Sequence, residues 1–245
     1  MPEELTVLTA ADPSADVMAQ FSRALAQQAA DLPVRLIWMV VDGLHAHAGA
    51  PDFLRQPLPF AVSWLTPDVP LPQLATLMQG LQQLHAGHPL RGPVIVMDPD
   101  MVDNVADLPR FITAHETGAA IVFGWRIERR GIHRLRRLLT ARFNVFAAKL
   151  LALPLHDLNT PMVSFTPSAL ACLLDTPAGC PSPRLHAYHR LRDRLDEVPI
   201  RVRELPGRKS AYTLRHRIGT GIRRVQEVLA FRRYRQRRQN DLCRE

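Results

Sequence analysis

The chain of 245 residues has little cysteine, and it has no long uninterrupted run of apolar residues. Its three cysteines, Cys172, Cys180 and Cys243, lack Cys-x-x-Cys spacing, which argues against a zinc site or a disulfide framework and fits a reducing cytosol. Because no stretch of about 18 apolar residues occurs, we expect no membrane-spanning helix. The first residues lack a cationic region followed by an apolar one, so we also expect no secretory signal.

Charge is spread unevenly along the chain, although the net charge is only +8. Residues 1–125 carry 5 Lys and Arg against 13 Asp and Glu, whereas residues 126–245 carry 26 against 10. Nearly all the cations are arginines, which favour bidentate contacts with phosphate. This division predicts a site that uses a cation and, elsewhere, a surface that meets anions. The 47% of hydrophobic residues is enough for a buried core and excludes wholesale disorder.

Apolar runs and helical spacing alternate along the first half of the chain. The predicted strands are 5–9, 34–41, 60–65, 94–97 and 119–125, and the predicted helices between them are 17–30, 71–85 and 105–116. The second half predicts helices over 134–151, 167–174 and 185–195 and strands over 163–165 and 197–203. This alternation is typical of an α/β domain with a mostly parallel sheet and short connections.

The run Val94–Met97 brings two carboxylates, Asp98 and Asp100, to its end. Four apolar residues between Gly-Pro and Asp-Pro predict a strand that is buried on both faces. Ligands of open parallel sheets collect beyond the carboxyl ends of the strands, and paired carboxylates suit Mg²⁺ or Mn²⁺, which in turn holds a diphosphate. The alternative is a plain turn, because Asp-Pro-Asp is also good turn chemistry.

The C-terminal region predicts a long basic helix with one apolar stripe. The stripe consists of Leu214, Ile218, Ile222, Val225 and Leu229, with arginines around it. Such a helix either docks on anionic lipid headgroups or packs its stripe on the domain and leaves its arginines in solvent. The sequence leaves both alternatives open.

Further segments follow the Asp98-Pro-Asp100 strand in a distinctive order. They are Ala120-Ile-Val-Phe-Gly-Trp-Arg126, Leu135-Arg136-Arg137-Leu-Leu-Thr140, Leu155-His-Asp157-Leu-Asn-Thr-Pro161, Glu197-Val-Pro-Ile-Arg-Val-Arg203 and Gly207-Arg-Lys-Ser210. Over most of residues 5–215, this order resembles the family 2 glycosyltransferases, in particular the dolichol-phosphate mannosyltransferase-like (polyprenyl-phosphate glycosyltransferase) branch.

The resemblance implies a GT-A fold, in which a mostly parallel central sheet flanked by helices forms a Rossmann-like nucleotide-binding half. It places this domain at residues 1–210 and the basic amphipathic helix or tail at 211–245. The implied activity is inverting, metal-dependent transfer of a hexose from a nucleotide-diphosphate sugar to a lipid-phosphate or related acceptor. The implied location is cytoplasmic, peripheral at the inner face of the cell membrane.

The resemblance also implies roles for single residues. Asp42 would contact the nucleotide base, and Asp98 and Asp100 would bind Mg²⁺ or Mn²⁺ on the donor diphosphate, with Asp103 as an additional ligand. Contacts with donor or acceptor phosphates are implied for Arg126, Arg136, Arg203, Arg208 and Ser210. Asp100, Arg126 and Asp157 are the implied catalytic residues. Asp157 is the only candidate general base that the motif order offers, and its alternative role is to cap a turn. A phosphate acceptor would need no strong base, because it is already anionic.

The chain departs from the family pattern on the nucleotide side. Thr9-Ala-Ala-Asp12 stands where the family has a Pro-x-Tyr-Asn-Glu type of loop, and Asp42-Gly43-Leu44 stands in place of Asp-Asp-Gly-Ser. The nucleotide therefore stays open, and a non-catalytic GT-A protein that serves assembly is one alternative. A nucleic-acid-binding protein that uses the arginine-rich tail is another. The acidic front half and the few aromatic residues among those arginines, Phe231 and Tyr234, argue against it. Self-association is also left open.

Overall fold

The computed structural model describes residues 2–47, 54, 57–87, 89–130, 134–203 and 214–242. Its strands are β1 (Glu4–Ala10), β2 (Arg35–Val41), β3 (Ala61–Leu65), β4 (Val94–Met97), β5 (Ile121–Arg130), β6 (Met162–Phe165) and β7 (Leu195–Arg203). Its α-helices are α1 (Ala15–Ala29), α2 (Gln73–Gly87), α3 (Leu108–Glu116), α4 (Arg134–Leu151), α5 (Pro167–Leu174), α6 (Pro183–Arg190) and α7 (Leu214–Leu242).

The strands form one sheet of seven in the order β3-β2-β1-β4-β6-β5-β7. Strand β6 runs antiparallel to both of its neighbours, and all other neighbouring pairs are parallel. The mostly parallel sheet that the sequence predicted is therefore confirmed. The carboxyl ends of β1, β2, β3, β4, β5 and β7 all lie at one edge of the sheet, which we call the carboxyl edge.

Helices cover both faces of the sheet. On one face, α1 and α3 contribute Phe21 and Phe111 to a core that also contains Trp38 of β2. On the other face, α2, α4, α5, α6 and α7 pack over a second core that contains Phe123 of β5. The inner residues of β1 are buried in both directions, which explains why its sequence is almost continuously apolar.

Local sequence signals set several element boundaries. Ser14, Thr166 and Ser182 cap the starts of α1, α5 and α6 with their hydroxyl groups, as expected for helix N-caps. The chain passes so close to β1 at Gly92 that a Cβ there would lie 1.7 Å from the Glu4 carbonyl oxygen, so only glycine fits. This approach brings the start of β4 into register with β1.

Two predicted helices differ from those observed. The helix predicted over 105–116 begins as a 3₁₀ turn, Val102–Asp107, and becomes α-helical only at Leu108. Pro109 explains the boundary, because proline is favoured in the first turn of an α-helix and disfavoured inside it. The helix predicted over 185–195 ends at Arg190, since the chain must turn to pair Leu195 with Ile121 at the start of β7.

Helix α7 packs on the domain through a face other than the predicted stripe. Val228 and Phe231 are each 1% exposed, whereas Ile222 and Leu229 of the stripe are 54% and 36% exposed. The side chains of Leu214 and Ile218, and the predicted domain boundary at 210/211, lie outside the described residues. Among the helices described, none combines the length and apolar character needed to cross a bilayer.

Candidate active site

The carboxylates Asp98 and Asp100 follow β4 directly at the carboxyl edge. Asp98 is partly exposed and accepts a hydrogen bond of 3.0 Å from Nε2 of Gln73, the first residue of α2. Asp100 is exposed. The strand end thus presents the pair to solvent, while α2 orients one member. Sequence reasoning missed Gln73, although the first residue of a helix that follows a parallel strand belongs to this same edge.

The described part of the chain contains no group of three or more His, Cys, Asp or Glu side chains that could hold a metal ion. Asp103, exposed on the 3₁₀ turn after β4, therefore does not complete such a group with Asp98 and Asp100. Two carboxylates still suit a Mg²⁺-like ion, because Mg²⁺ typically binds one or two carboxylates and takes its other ligands from substrate phosphates and water. The donor chemistry of the pair fits that ion.

Asp42, directly after β2, organises the loop that follows it. Its side chain is fully buried, and its two oxygens accept hydrogen bonds of 3.0 Å from the backbone amides of Ala46 and His47. His47 in turn places Nε2 2.8 Å from the carbonyl oxygen of Asp12, and its ring packs edge-on against Trp64 of β3. The loops after β1 and β2 and the end of β3 are thereby tied together at the carboxyl edge.

Arg126 and Asp157 form an ion pair that the sequence did not predict. The Arg126 Nε and Nη2 atoms donate to the two Asp157 oxygens at 2.6 and 2.8 Å, and Nη2 also donates to the Asn159 carbonyl at 2.8 Å. Asn144 of α4 donates a further 2.8 Å bond to Asp157. The two charged side chains are 14% and 1% exposed. Both oxygens of Asp157 therefore already accept hydrogen bonds within the fold.

Glu197 of β7 holds the turn that carries Asp157. Its carboxylate accepts hydrogen bonds of 2.9 Å from the backbone amides of His156 and Asp157, and a 2.7 Å contact joins it to Nδ1 of His156. The His156 ring stacks on Trp125 of β5 with 4.5 Å between the ring centroids. The position of Asp157 is therefore set by a strand about 40 residues later in the chain, which no local pattern could reveal.

Helix α7 contributes an arginine, Arg224, whose charge interacts with that of Arg126. Burial and the neighbouring Arg184 lower the pKa of Arg224 to about 10, and Arg126 also acts on it in the same direction. Glu227, one turn further along α7, partly offsets these effects and pairs with Arg184 of α6 at 2.6 Å. Arg224 was not predicted as a site residue, because only the packing of α7 brings it near Arg126.

The other predicted phosphate contacts are only partly described. Arg136 lies in the first turns of α4 and Arg203 ends β7, but their side chains lie outside the described part of the structure. Arg208 and Ser210 lie outside the described residues altogether. Their roles remain predictions from the sequence.

The comparisons with known proteins identify the fold. No protein-family model matches the chain, and no curated protein sequence matches it. Among solved structures, glucosyl-3-phosphoglycerate synthase of Mycobacterium tuberculosis matches with a TM-score of 0.58 and 17% identity, covering 94% of this chain and 80% of that one. Its complex with uridine diphosphate gives a TM-score of 0.60 at 15% identity, with the same coverage. Its complex with Mn²⁺, UDP-glucose and phosphoglyceric acid gives 0.55 at 16% identity, again with the same coverage. The GT-A fold implied by the sequence resemblance is thereby confirmed.

Proposed function

We propose that the protein is a metal-dependent glycosyltransferase that uses a nucleotide-diphosphate sugar as donor. The observation that carries this proposal is the placement of Asp98 and Asp100 directly beyond β4 at the carboxyl edge of a GT-A sheet. The similar mycobacterial enzyme has been solved with Mn²⁺, UDP and UDP-glucose, which supports a donor and a metal of these classes.

In this proposal Asp98 and Asp100 hold Mg²⁺ or Mn²⁺, while Asp103, which completes no three-residue metal group with them, is not a ligand. The bound ion would stabilise the negative charge that develops on the leaving diphosphate. The part played by the chain is to fix the carboxylates, which the hydrogen bond from Gln73 does for Asp98. The loop organised by Asp42 would lie under the nucleotide, and Arg126, Arg136, Arg203, Arg208 and Ser210 would contact phosphates.

We further propose that the acceptor is a phosphate group, carried by a polyprenyl lipid at the membrane surface. A phosphate oxygen is anionic at neutral pH and attacks without a general base. This fits Asp157, whose oxygens already accept hydrogen bonds from Arg126 and Asn144. The turn that carries Asp157, with Arg126 and Arg224 nearby, would position the acceptor rather than deprotonate it. Direct attack on the donor would invert the sugar.

Membrane docking is supported by an apolar and cationic surface on α4 and α7. Leu138, Leu139, Val145 and Phe146 of α4 and Ile222 and Leu229 of α7 are exposed by 36% to 59%. The two helices pack against each other, and between them they carry 13 Arg and 1 Lys against 2 acidic residues. Exposed apolar side chains on helices rich in arginine suit an anionic bilayer surface.

A small phosphorylated acceptor is the second candidate. The mycobacterial neighbour has been solved with phosphoglyceric acid and with glycerol 3-phosphate beside UDP-glucose and Mn²⁺. Incubation with labelled donor and either polyprenyl phosphate or phosphoglycerate separates the two candidates, because only the lipid product enters an organic phase. Label in the aqueous product alone would contradict the lipid acceptor.

Donor binding tests the proposal directly. We expect UDP- or GDP-sugars to raise the melting temperature of the protein only when Mn²⁺ or Mg²⁺ is present. Asp100→Asn should abolish this shift and lower turnover by roughly a thousandfold, since the bound metal supplies several kcal/mol of transition-state stabilisation. Asp103→Asn is the matched control, with the same charge change on the adjacent turn, and should lose far less.

Two results would contradict the donor proposal. Wild-type turnover in Asp100→Asn with metal present would show that the pair does not hold the ion. An absence of any metal-dependent shift with all donors would point to the non-catalytic alternative.

For the membrane step, Leu139→Ser with Phe146→Ser should abolish sedimentation with anionic vesicles at low salt. Leu74→Ser, an exposed leucine outside α4 and α7, should leave sedimentation unchanged.

A further inference from the structure

A cavity of about 330 Å³ opens between α6 and the C-terminal half of α7. Three arginines, Arg190, Arg235 and Arg238, line it together with His186 and His189. Phe231 and Tyr234 of α7 form its apolar part. Its size is at the lower end of the range for small-molecule sites.

The arginines of this cavity have no acidic counterpart in the described residues. None of Arg190, Arg235 and Arg238 forms an ion pair with a described carboxylate. Arg238 instead donates to the Tyr234 hydroxyl at 3.3 Å and lies over its ring, while Arg235 donates to the Leu151 carbonyl at 3.4 Å. Uncharged groups thus contact two of the guanidinium groups at the cavity, and no carboxylate of the described residues forms an ion pair with them.

Both histidines present a polar atom that the folded chain does not satisfy. The Nε2 atoms of His186 and His189 are buried and have no hydrogen-bond partner in the part of the chain that the structure describes. Burial, followed by Arg190 and Arg238, lowers the pKa of His186, and Asp175 opposes this only weakly. Burial, followed by Arg235 and Arg192, lowers the pKa of His189. A buried nitrogen without a partner is costly, and an anion beside the two rings would offset the repulsion that the arginines exert on them.

The cavity is separate from the carboxyl edge. Helix α6 ends at Arg190, and after one 3₁₀ turn the chain enters β7 at Leu195, which pairs with Ile121 at the start of β5. The cavity therefore lies towards the amino ends of β5 and β7, whereas Asp98 and Asp100 follow the carboxyl end of β4. A ligand bound there would not compete with a donor at the carboxyl edge.

We propose that the cavity between α6 and α7 is a second anion site, which binds a phosphate monoester group through Arg190, Arg235, Arg238, His186 and His189. Guanidinium groups match phosphate oxygens in geometry and charge, and neutral imidazoles can donate from Nε2 or become cationic beside the anion. Because the walls of the cavity come from α6 and α7, a phosphate bound there would also hold the C-terminal helix on the domain.

Calorimetric titration of the full chain with inorganic phosphate tests the proposal, with sodium chloride of equal ionic strength as the reference. We expect saturable binding that weakens by about tenfold or more in the double variant Arg235→Gln and Arg238→Gln, because two charge-assisted contacts are lost. The control is Arg232→Gln with Arg233→Gln, two exposed arginines of the same helix outside the cavity, which should change the affinity by less than about threefold.

The histidines provide a readout in the unmutated protein, so the result does not depend on a variant that folds. Phosphate should raise the pKa values of His186 and His189, measured by NMR, while His85, on α2, should not respond. Equal losses in the two double variants, or no histidine response, would overturn the proposal, because the binding would then be unspecific attraction to a basic helix.

Two further binding experiments distinguish a lipid phosphate from a soluble phosphate ester as the ligand. Vesicles of phosphatidylcholine with phosphatidic acid present a lipid phosphate monoester, whereas vesicles with phosphatidylserine present charge without one. Selective binding to phosphatidic acid that the Arg235 and Arg238 variant loses would identify a lipid headgroup. Binding of inorganic phosphate and glycerol phosphate without such selectivity would identify a soluble phosphate ester. Binding of neither class would refute the site.

Discussion

In residues 1–125, the carboxylates after β4 point towards solvent, whereas in residues 126–242 the main described carboxylates hold the chain together. Asp98 is partly exposed, and Asp100 and Asp103 are exposed. In contrast, Asp157, Glu197 and Glu227 have side chains only 1%, 9% and 25% exposed, and all three accept several hydrogen bonds from other elements. The carboxylates after β4 can thus be reached from solvent, whereas Asp157, Glu197 and Glu227, like the buried Asp42 of the first region, join segments of the fold.

Only a few of the described cations in the second region pair with its buried acids. Arg126 and Arg184, which lie in the basic half, form ion pairs with Asp157 and Glu227. Helix α7 carries nine arginines against two acidic residues, so most of its charge is left for solvent or for anionic partners. The net charge of a segment therefore says less about its binding capacity than the number of its charges that remain unpaired after folding.

The largest expected effect on stability comes from Asp157→Ala. The substitution leaves the Arg126 guanidinium, whose side chain is 14% exposed, without its partner. We expect a loss of roughly 3–5 kcal/mol in the free energy of unfolding. The measurement is urea denaturation followed by tryptophan fluorescence. Asp103→Ala, at an exposed position in the acidic half, should change stability by less than about 0.5 kcal/mol. Equal midpoints for the two variants would break the comparison.

Phe231→Ala tests whether α7 belongs to the body of the domain. The ring is 1% exposed in the second core, so its removal should cost about 3 kcal/mol. Leu229→Ala, at a position 36% exposed on the predicted stripe, should cost less than about 1 kcal/mol. Thermal melts of both variants decide between the two faces. A larger loss for Leu229→Ala would mean that the stripe, not the Phe231 face, packs on the domain.

Glu227→Gln should have a smaller effect, about 2 kcal/mol, because an amide retains part of the hydrogen bonding to Ser182 and Arg184. Glu227 also raises the pKa of Arg224, against the effects of burial and of Arg184. A double-mutant cycle with Arg184→Met isolates the ion pair that joins α6 to α7. Additive losses in that cycle would show that the two side chains are not coupled, and that this acid does not hold the chain together.

The smallest expected effect is the pH dependence that His115 adds. Burial lowers the pKa of His115 below its ordinary value of 6.5, against weaker opposing effects of the Ala119 carbonyl and Asp196. The unfolded chain therefore binds a proton that the folded chain does not, and stability falls as the pH drops below about 6.5. His115→Gln should flatten this slope in denaturation curves at successive pH values. An unchanged slope would assign it entirely to other groups, such as His186 and His189.

Much of the fold could be predicted because its signals are local. Strand β4 and helix α4 were predicted with the bounds that the structure shows, since one is a continuous apolar run and the other has helical spacing of its apolar residues. The placement of Asp98 and Asp100 also followed from sequence, because it depends only on where a strand ends and on which edge of a parallel sheet that end lies. Two predicted helices differed from those observed. A proline at Pro109 and the pairing of Leu195 in the sheet outweighed their helical periodicity.

The candidate site was only partly predictable. Arg126 and Asp157 are 31 residues apart and were assigned separate roles, yet they form one ion pair. Gln73 and Glu197 were missed, because each acts on a residue from a distant segment. The apolar stripe correctly indicated a helix at α7, but its members Ile222 and Leu229 are exposed, and Val228 and Phe231 pack in the core instead.

The sequence by itself determined the alternation of strands and helices, the carboxylates at the end of β4, and the division into an acidic and a basic half. Those properties depend on residues that are neighbours in the chain. Only the tertiary structure decided which charges are neutralised, which face of α7 is buried, and which arginines and histidines converge on a cavity between α6 and α7. Such outcomes depend on contacts between distant segments, because burial and pairing are set by packing and not by the order of residues.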